Sequence, residues 1–135
     1  MKTVFVDTFY FLALLNPSDA AHSKSVAFTT SNPVRMVTTE WILTELADAL
    51  ARSRKGREEF AATLADLQSD DDAEIVPSSR ELFEAGVLLY NERPDKSWSL
   101  TDCISFVVMQ RQGLTEALTG DKHFEQAGFV ALLRQ

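Results

Sequence analysis

Four carboxylates stand where short apolar runs end or helical stretches begin, and that placement suits metal chemistry. Asp7 interrupts the otherwise apolar and aromatic run "VFVDTFYF" at residues 4–11. A charged group at that position is costly to desolvate unless something offsets the cost. Asp121 follows "EALTG" at the end of another β-rich run, and Asp102 lies near the start of "SLTDCISFVVMQRQG". Glu45 belongs to "TTEWILTELADALARS", about one helical turn in, with Glu40 as a competing candidate on the same helix. Oxygen ligands without histidine or cysteine among them suit Mg²⁺ or Mn²⁺ rather than zinc. A divalent cation would offset the burial of Asp7.

Each acid also has a plainer reading. Asp102 fits the third-position acid of a capping box opened by Ser99. Asp121, after Gly120, fits an ordinary turn. Asp7 is the hardest to dismiss, because Phe5 and Phe9 flank it and leave it little solvent. His22 and His123 have no serine or cysteine partner in a recognisable arrangement and read as surface or capping residues. Cys103, beside Ile104 and Phe106, reads as inert packing. Trp98 reads as a core or lid residue, with base stacking as the alternative. The five glycines are scattered and form no phosphate-binding loop.

The elements that must position these residues alternate in kind. Short β-rich runs fall at Thr3–Val6, Arg35–Thr38, Ala73–Val76, Glu116–Thr119 and Phe129–Leu133. Between them lie stretches with helical spacing, such as Trp41, Ile42, Leu46, Ala49 and Leu50. In "SSRELFEAGVLLYNE", Ser78 and Glu81 predict a capping box. Ser99 predicts an N-cap, and Gly113 a helix C-terminus. Short, continuously apolar strands separated by helices predict an α/β three-layer sandwich with a mostly parallel sheet of about five strands. In such sheets ligands bind beyond the carboxyl ends of the strands. A doubly wound order brings all four acids to one edge.

The chain has 135 residues, as expected for one domain spanning 1–135. Its net charge of −7 argues against broad binding to a polyanion, although Arg52, Arg54, Lys55 and Arg57 form a local basic cluster and Asp70, Asp71 and Asp72 an acidic one. The single cysteine excludes an intramolecular disulfide and suits a reducing compartment. The longest apolar run, Phe9–Leu15, is far short of a membrane span, and Asp7 breaks any signal-peptide core. A cytoplasmic protein is the expectation.

The order of "FVDT", "TELADAL", "SLTDCISF" and "LTGDKHF…GF" resembles the PIN domain, specifically the VapC-like toxins of bacterial toxin–antitoxin pairs. The resemblance runs from Val4 to Leu133, and "SLTD" and "T-x-D-x-x-F" at those separations are its specific part. It implies a PIN-like fold and Mg²⁺-dependent endoribonuclease activity on RNA, with Mn²⁺ as a possible substitute. The acidic residues of the family map onto Asp7, Glu45, Asp102 and Asp121, with Asp7, Asp102 and Asp121 toward the metal and Glu45 or Asp102 toward the water. It also implies a small antitoxin partner and a homodimer. Phe9 departs from the small polar residue that many members carry there. The competing class is a non-catalytic interaction module of the same fold, for which four carboxylates around one point have no purpose.

Overall fold

The computed structural model describes residues 1–134; Gln135, the last residue of the expected domain, lies outside the described residues. The elements run β1 (Lys2–Val6), α1 (Thr8–Leu15), α2 (His22–Ser31), β2 (Val34–Thr39), α3 (Glu40–Leu50), α4 (Arg54–Ser69), β3 (Ala73–Val76), α5 (Arg80–Glu92), α6 (Leu100–Gln112), β4 (Glu116–Leu118), α7 (Lys122–Gln126) and β5 (Val130–Ala131), closed by a 3₁₀ turn (Leu132–Arg134). The five strands form one sheet in the order β3-β2-β1-β4-β5, and every pairing is parallel. Helices cover both faces, as parallel strands require when their backbones are buried on each side. This is the expected α/β sandwich.

β1 lies at the centre, and Val4, Phe5 and Val6 are completely buried. The chain builds outward from β1 to β3, then returns to lay β4 on the other side of β1. The order therefore reverses between β1 and β4, and the crevice beyond such a reversal is where open α/β sheets bind ligands. Asp7 follows β1 directly, and Thr119 to Asp121 follow β4.

The aromatic core fixes the helices that carry the other acids. Phe106 on α6 meets Trp98 and Phe124 edge-to-face, each at 5.0 Å between ring centroids. Such pairs contribute about 0.5–1.5 kcal/mol beyond area burial. They tie α6 to α7, and with it Asp102 to the Asp121 loop. The α6 capping box forms as expected: Asp102 N–H donates to Ser99 Oγ, and Ser99 N–H donates to Asp102 Oδ2. Gly113 ends α6 in the left-handed region at φ 67°, which glycine adopts without steric cost.

β1 begins at Lys2, β2 spans Val34–Thr39 and β4 ends at Leu118, each within one residue of expectation, while the α5 cap and the last strand differ in kind. The α5 cap is Ser79, whose Oγ accepts from Leu82 N–H, while Ser78 donates through its backbone and hydroxyl to Glu40 Oε1. Glu81, free of a box, forms a fork with Arg111 on α6. The last strand is shorter than Phe129–Leu133, because only Val130 and Ala131 pair with β4. Phe129 packs toward Phe106, and Leu133 N–H turns back to Thr119 C=O, which bends the chain into the 3₁₀ turn.

Candidate active site

All four acids converge on one cleft of about 410 Å³ at the carboxyl edge of β1 and β4. Asp7 occupies the N-cap position of α1 in an extended conformation, makes no side-chain cap bond there, and is only 6% exposed. Its Oδ2 accepts from Thr119 Oγ1–H at 2.7 Å. The same hydroxyl accepts from Asp121 N–H at 3.0 Å, so one buried threonine registers both loops. Glu45, one turn into α3, is held by the Thr8 hydroxyl, the residue next to Asp7. Glu40 is excluded from the cleft by its bonds to Ser78. Asp121 is the N-cap of α7, accepting from His123 N–H at 2.9 Å, so its turn role and its place in the cleft coexist. Asp102 likewise serves its capping box while lining the cleft.

His123 is the residue that sequence reasoning missed. Its Nδ1 lies 2.9 Å from Asp102 Oδ2 and 3.5 Å from Asp121 Oδ1. It is neither a surface nor a capping histidine. The available signal was its position two residues after an N-cap aspartate, where the single turn of α7 folds the ring back over the cap. His22 sits elsewhere, with Nδ1 against Ala13 C=O. Trp98 is buried, its indole N–H donating to Gln126 Oε1, which makes it a core residue. Cys103 is fully buried, and its thiol is pushed up to about 11, mainly by burial and then by the Asp102 charge, so it carries no nucleophile.

Burial is the main cause of perturbed acidity here. Asp7 is raised to about 7, chiefly by burial and also by the charges of Asp102, Glu45 and Asp121, against the lowering effect of the Thr119 bond. Glu45 is raised by burial, eased by the Thr8 bond and raised again by Asp102 and Asp121. Asp102 is raised by burial, with His123 and Ser99 bonds opposing. Acids in this state favour a cation.

The donor set fits a divalent ion. Each of the four acids has one oxygen tied to a protein donor, and its other oxygen makes no hydrogen bond among the described residues. Those carboxylate oxygens match hard cations. One ligand atom each from Asp102, Asp121 and His123 also lies within 4.8 Å of the others, which brings an imidazole to a site that oxygen ligands alone were expected to form. Phe9 closes one wall of the cleft. Its ring occupies the space beside Gly120, where a Cβ would approach Phe9 Cζ to 2.4 Å, so glycine permits the contact.

Comparison with known proteins gives consistent matches. The PIN domain family model matches residues 4–130. The 23S rRNA-specific endonuclease VapC20 of Mycobacterium tuberculosis is 31% identical over 127 residues, covering 94% of this chain and 95% of that protein. The crystal structure of M. tuberculosis VapC20, described as a sarcin–ricin loop cleaving toxin, superposes with a TM-score of 0.84 at 28% identity, covering 94% and 96% of the two chains. Neisseria gonorrhoeae FitAcB superposes with a TM-score of 0.67 at 16% identity over 95% and 94%. Rickettsia felis VapBC2, bound to a promoter DNA fragment, reaches 0.66 at 14% over 96% of each, and these two show the fold alone.

Proposed function

The chain belongs to the PIN domain family, and on that premise we propose that it is a metal-dependent endoribonuclease of the VapC toxin class. The observation that carries the reading is Asp7: a buried carboxylate at the sheet's reversal point, raised to about 7 and ringed by three more acids. A non-catalytic module would keep the desolvation cost and gain nothing from it.

Asp7, Asp102 and Asp121 are the residues proposed to hold the ion, Mg²⁺ with Mn²⁺ as substitute. The bound cation supplies charge stabilisation at a phosphodiester and acidifies water for in-line attack. Thr119 keeps Asp7 and Asp121 in register. The Ser99 N–H and His123 Nδ1 fix Asp102 Oδ2 and leave its other oxygen to the cleft. Glu45, anchored through one oxygen by Thr8, presents the other to accept the proton of attacking water. Each role needs a carboxylate held by a donor that stays put.

RNA is the proposed substrate, and the activity named for VapC20 makes 23S ribosomal RNA the first one to test. A small antitoxin covering the cleft and a homodimeric state are further parts of the reading, as is action in the cytoplasm. Among the described residues no helix is long and apolar enough to cross a membrane. Purified protein free of any partner should cut 23S ribosomal RNA with Mg²⁺ or Mn²⁺ and stop in EDTA. Asp7→Asn should lose at least about a hundredfold in rate, the scale of a lost electrostatic contribution. Cleavage that persists in chelator and in Asp7→Asn would remove the reading.

A further inference from the structure

A second cavity, also about 410 Å³, adjoins the acid cleft. Ser97, in the loop between α5 and α6, lines both. Its volume lies within the roughly 300–1,000 Å³ of small-ligand pockets. In a chain of net charge −7, this lining carries Arg93 and Lys96 and no carboxylate. We propose that it is a nucleotide subsite, which takes the base and phosphate of an RNA residue beside the bond cut in the acid cleft. The inference rests on the endoribonuclease reading.

Each part of the pocket has a matching function. Tyr90 is 50% exposed, and its hydroxyl makes no hydrogen bond among the described residues. Its ring is available as a stacking platform for a base, which is how proteins hold unpaired RNA nucleotides. Asn91 offers an amide donor and acceptor for a base edge. Arg93 is already committed: its guanidinium forks onto Asp95 at 3.0 and 2.9 Å and lies 5.1 Å from the Trp98 ring centroid. Together with the turn bond from Lys96 N–H to Arg93 C=O, this braces the loop before any ligand arrives. Lys96 makes no ion pair within 4.0 Å among the described residues, so its ammonium remains for a phosphate. Four acids in one cleft and the Lys96 ammonium in the next cavity divide the work: the first needs a cation to meet RNA, the second meets it directly.

The test uses full-length protein in the Asp7→Asn background, so that RNA is bound and not cut. A fluorescein-labelled single-stranded RNA of random sequence, about twelve nucleotides long, is titrated by fluorescence anisotropy across a salt series. Tyr90→Ala should weaken binding roughly 5- to 150-fold, the range for loss of one base–aromatic stack. Tyr90→Phe, which keeps the ring, should stay within about twofold. Lys96→Gln should flatten the slope of log affinity against log salt by about 0.7, one single-strand phosphate contact. Both residues are at least partly exposed, and thermal melts verify folding of each variant. Unchanged affinity and slope in Tyr90→Ala and Lys96→Gln, with cleavage by the wild type intact, would overturn the subsite and leave the nuclease reading standing. No RNA binding in the Asp7→Asn background together with no cleavage by the wild type would end both. Light scattering supplies the remaining arm: loss of a dimer in Tyr90→Ala with RNA affinity unaltered would assign this surface to protein contact instead.

Discussion

The acids of the cleft are held from behind by hydroxyl and backbone donors, and His123 adds a ring nitrogen in contact with a carboxylate. Its Nδ1 meets the Asp102 oxygen that also caps α6, so a single atom of Asp102 is fixed from two elements. Partners of this kind keep ligands aimed, and their loss lowers metal affinity by about 10–100-fold. His123→Ala should therefore weaken Mn²⁺ binding by that factor in a calorimetric titration. His123→Asn, whose amide reaches toward the Nδ1 position, should recover a substantial part. The Asp121 cap uses the backbone N–H of residue 123 and survives in both variants. Equal Mn²⁺ affinity in wild type and His123→Ala would reduce His123 to a helix residue.

At the scale of elements, the corner between α3 and α4 carries a charge pattern that helix stability does not explain. Ser53 caps α4 through Gly56 N–H, yet Arg54, Lys55 and Arg57 occupy the first turn, where the helix dipole disfavours cations by about 0.3–1 kcal/mol each. Arg54 pairs weakly with Glu58 at 3.4 Å, and Arg57 bonds Ala51 C=O. Ala49, three residues before Arg52, lines the acid cleft, which puts the cluster just past the cleft's α3 wall. Neutralising Arg52 and Lys55 should weaken RNA binding and reduce its salt slope by about 1.4 for two single-strand contacts. An unchanged slope would assign the cluster to solubility. The neighbouring elements show why some of this was legible in sequence and some was not. α3 announces itself through an apolar face, with Ile42, Leu43 and Leu46 buried. α2 buries only Ser25 fully, and Thr29 and Thr30 bond back to carbonyls one turn earlier, so "HSKSVAFTTS" has no clear stripe. Ser78 and Ser79 are adjacent capping residues by composition, and only the distant Glu40 decides between them.

The whole molecule inherits a pH dependence from its gathered acids. The folded Asp7 carboxyl is raised to about 7 from its ordinary 3.8, chiefly by burial. Between those values the folded chain keeps a proton that the unfolded chain has lost, so metal-free stability is full below about pH 4 and falls until about pH 7. For Asp7 alone the loss amounts to roughly 4 kcal/mol. Glu45 and Asp102, also raised, act in the same direction. Mg²⁺ should restore about 2.7 kcal/mol at a hundredfold excess over its dissociation constant. Asp121→Asn keeps an oxygen for the α7 cap while deleting a charge that raises Asp7, Glu45 and Asp102. That variant should melt higher than wild type without metal, gain less from Mg²⁺ and be inactive. Thermal melts across pH 5 to 8, with and without Mg²⁺, check all of it. A lower metal-free melting point with an equal Mg²⁺ response would make Asp121 structural.

The amino-acid sequence by itself determined the alternation of strands and helices, the buried setting of Asp7, and the Ser99–Asp102 box. Each is written in local periodicity or in capping chemistry spanning three or four residues. What only the tertiary structure decided lies between residues far apart in the chain. Thr119 reaches Asp7 across 112 positions, Thr8 reaches Glu45 across 37, and His123 reaches Asp102 across 21. Glu40 and Glu45 are equivalent as helix acids until β2 and the α5 cap orient α3. The cavity beside Tyr90 likewise exists only because α5, its loop and α6 pack around Trp98. Local propensity says which face of an element is buried. The order of strands in the sheet says which faces meet, and no short window of sequence contains that order.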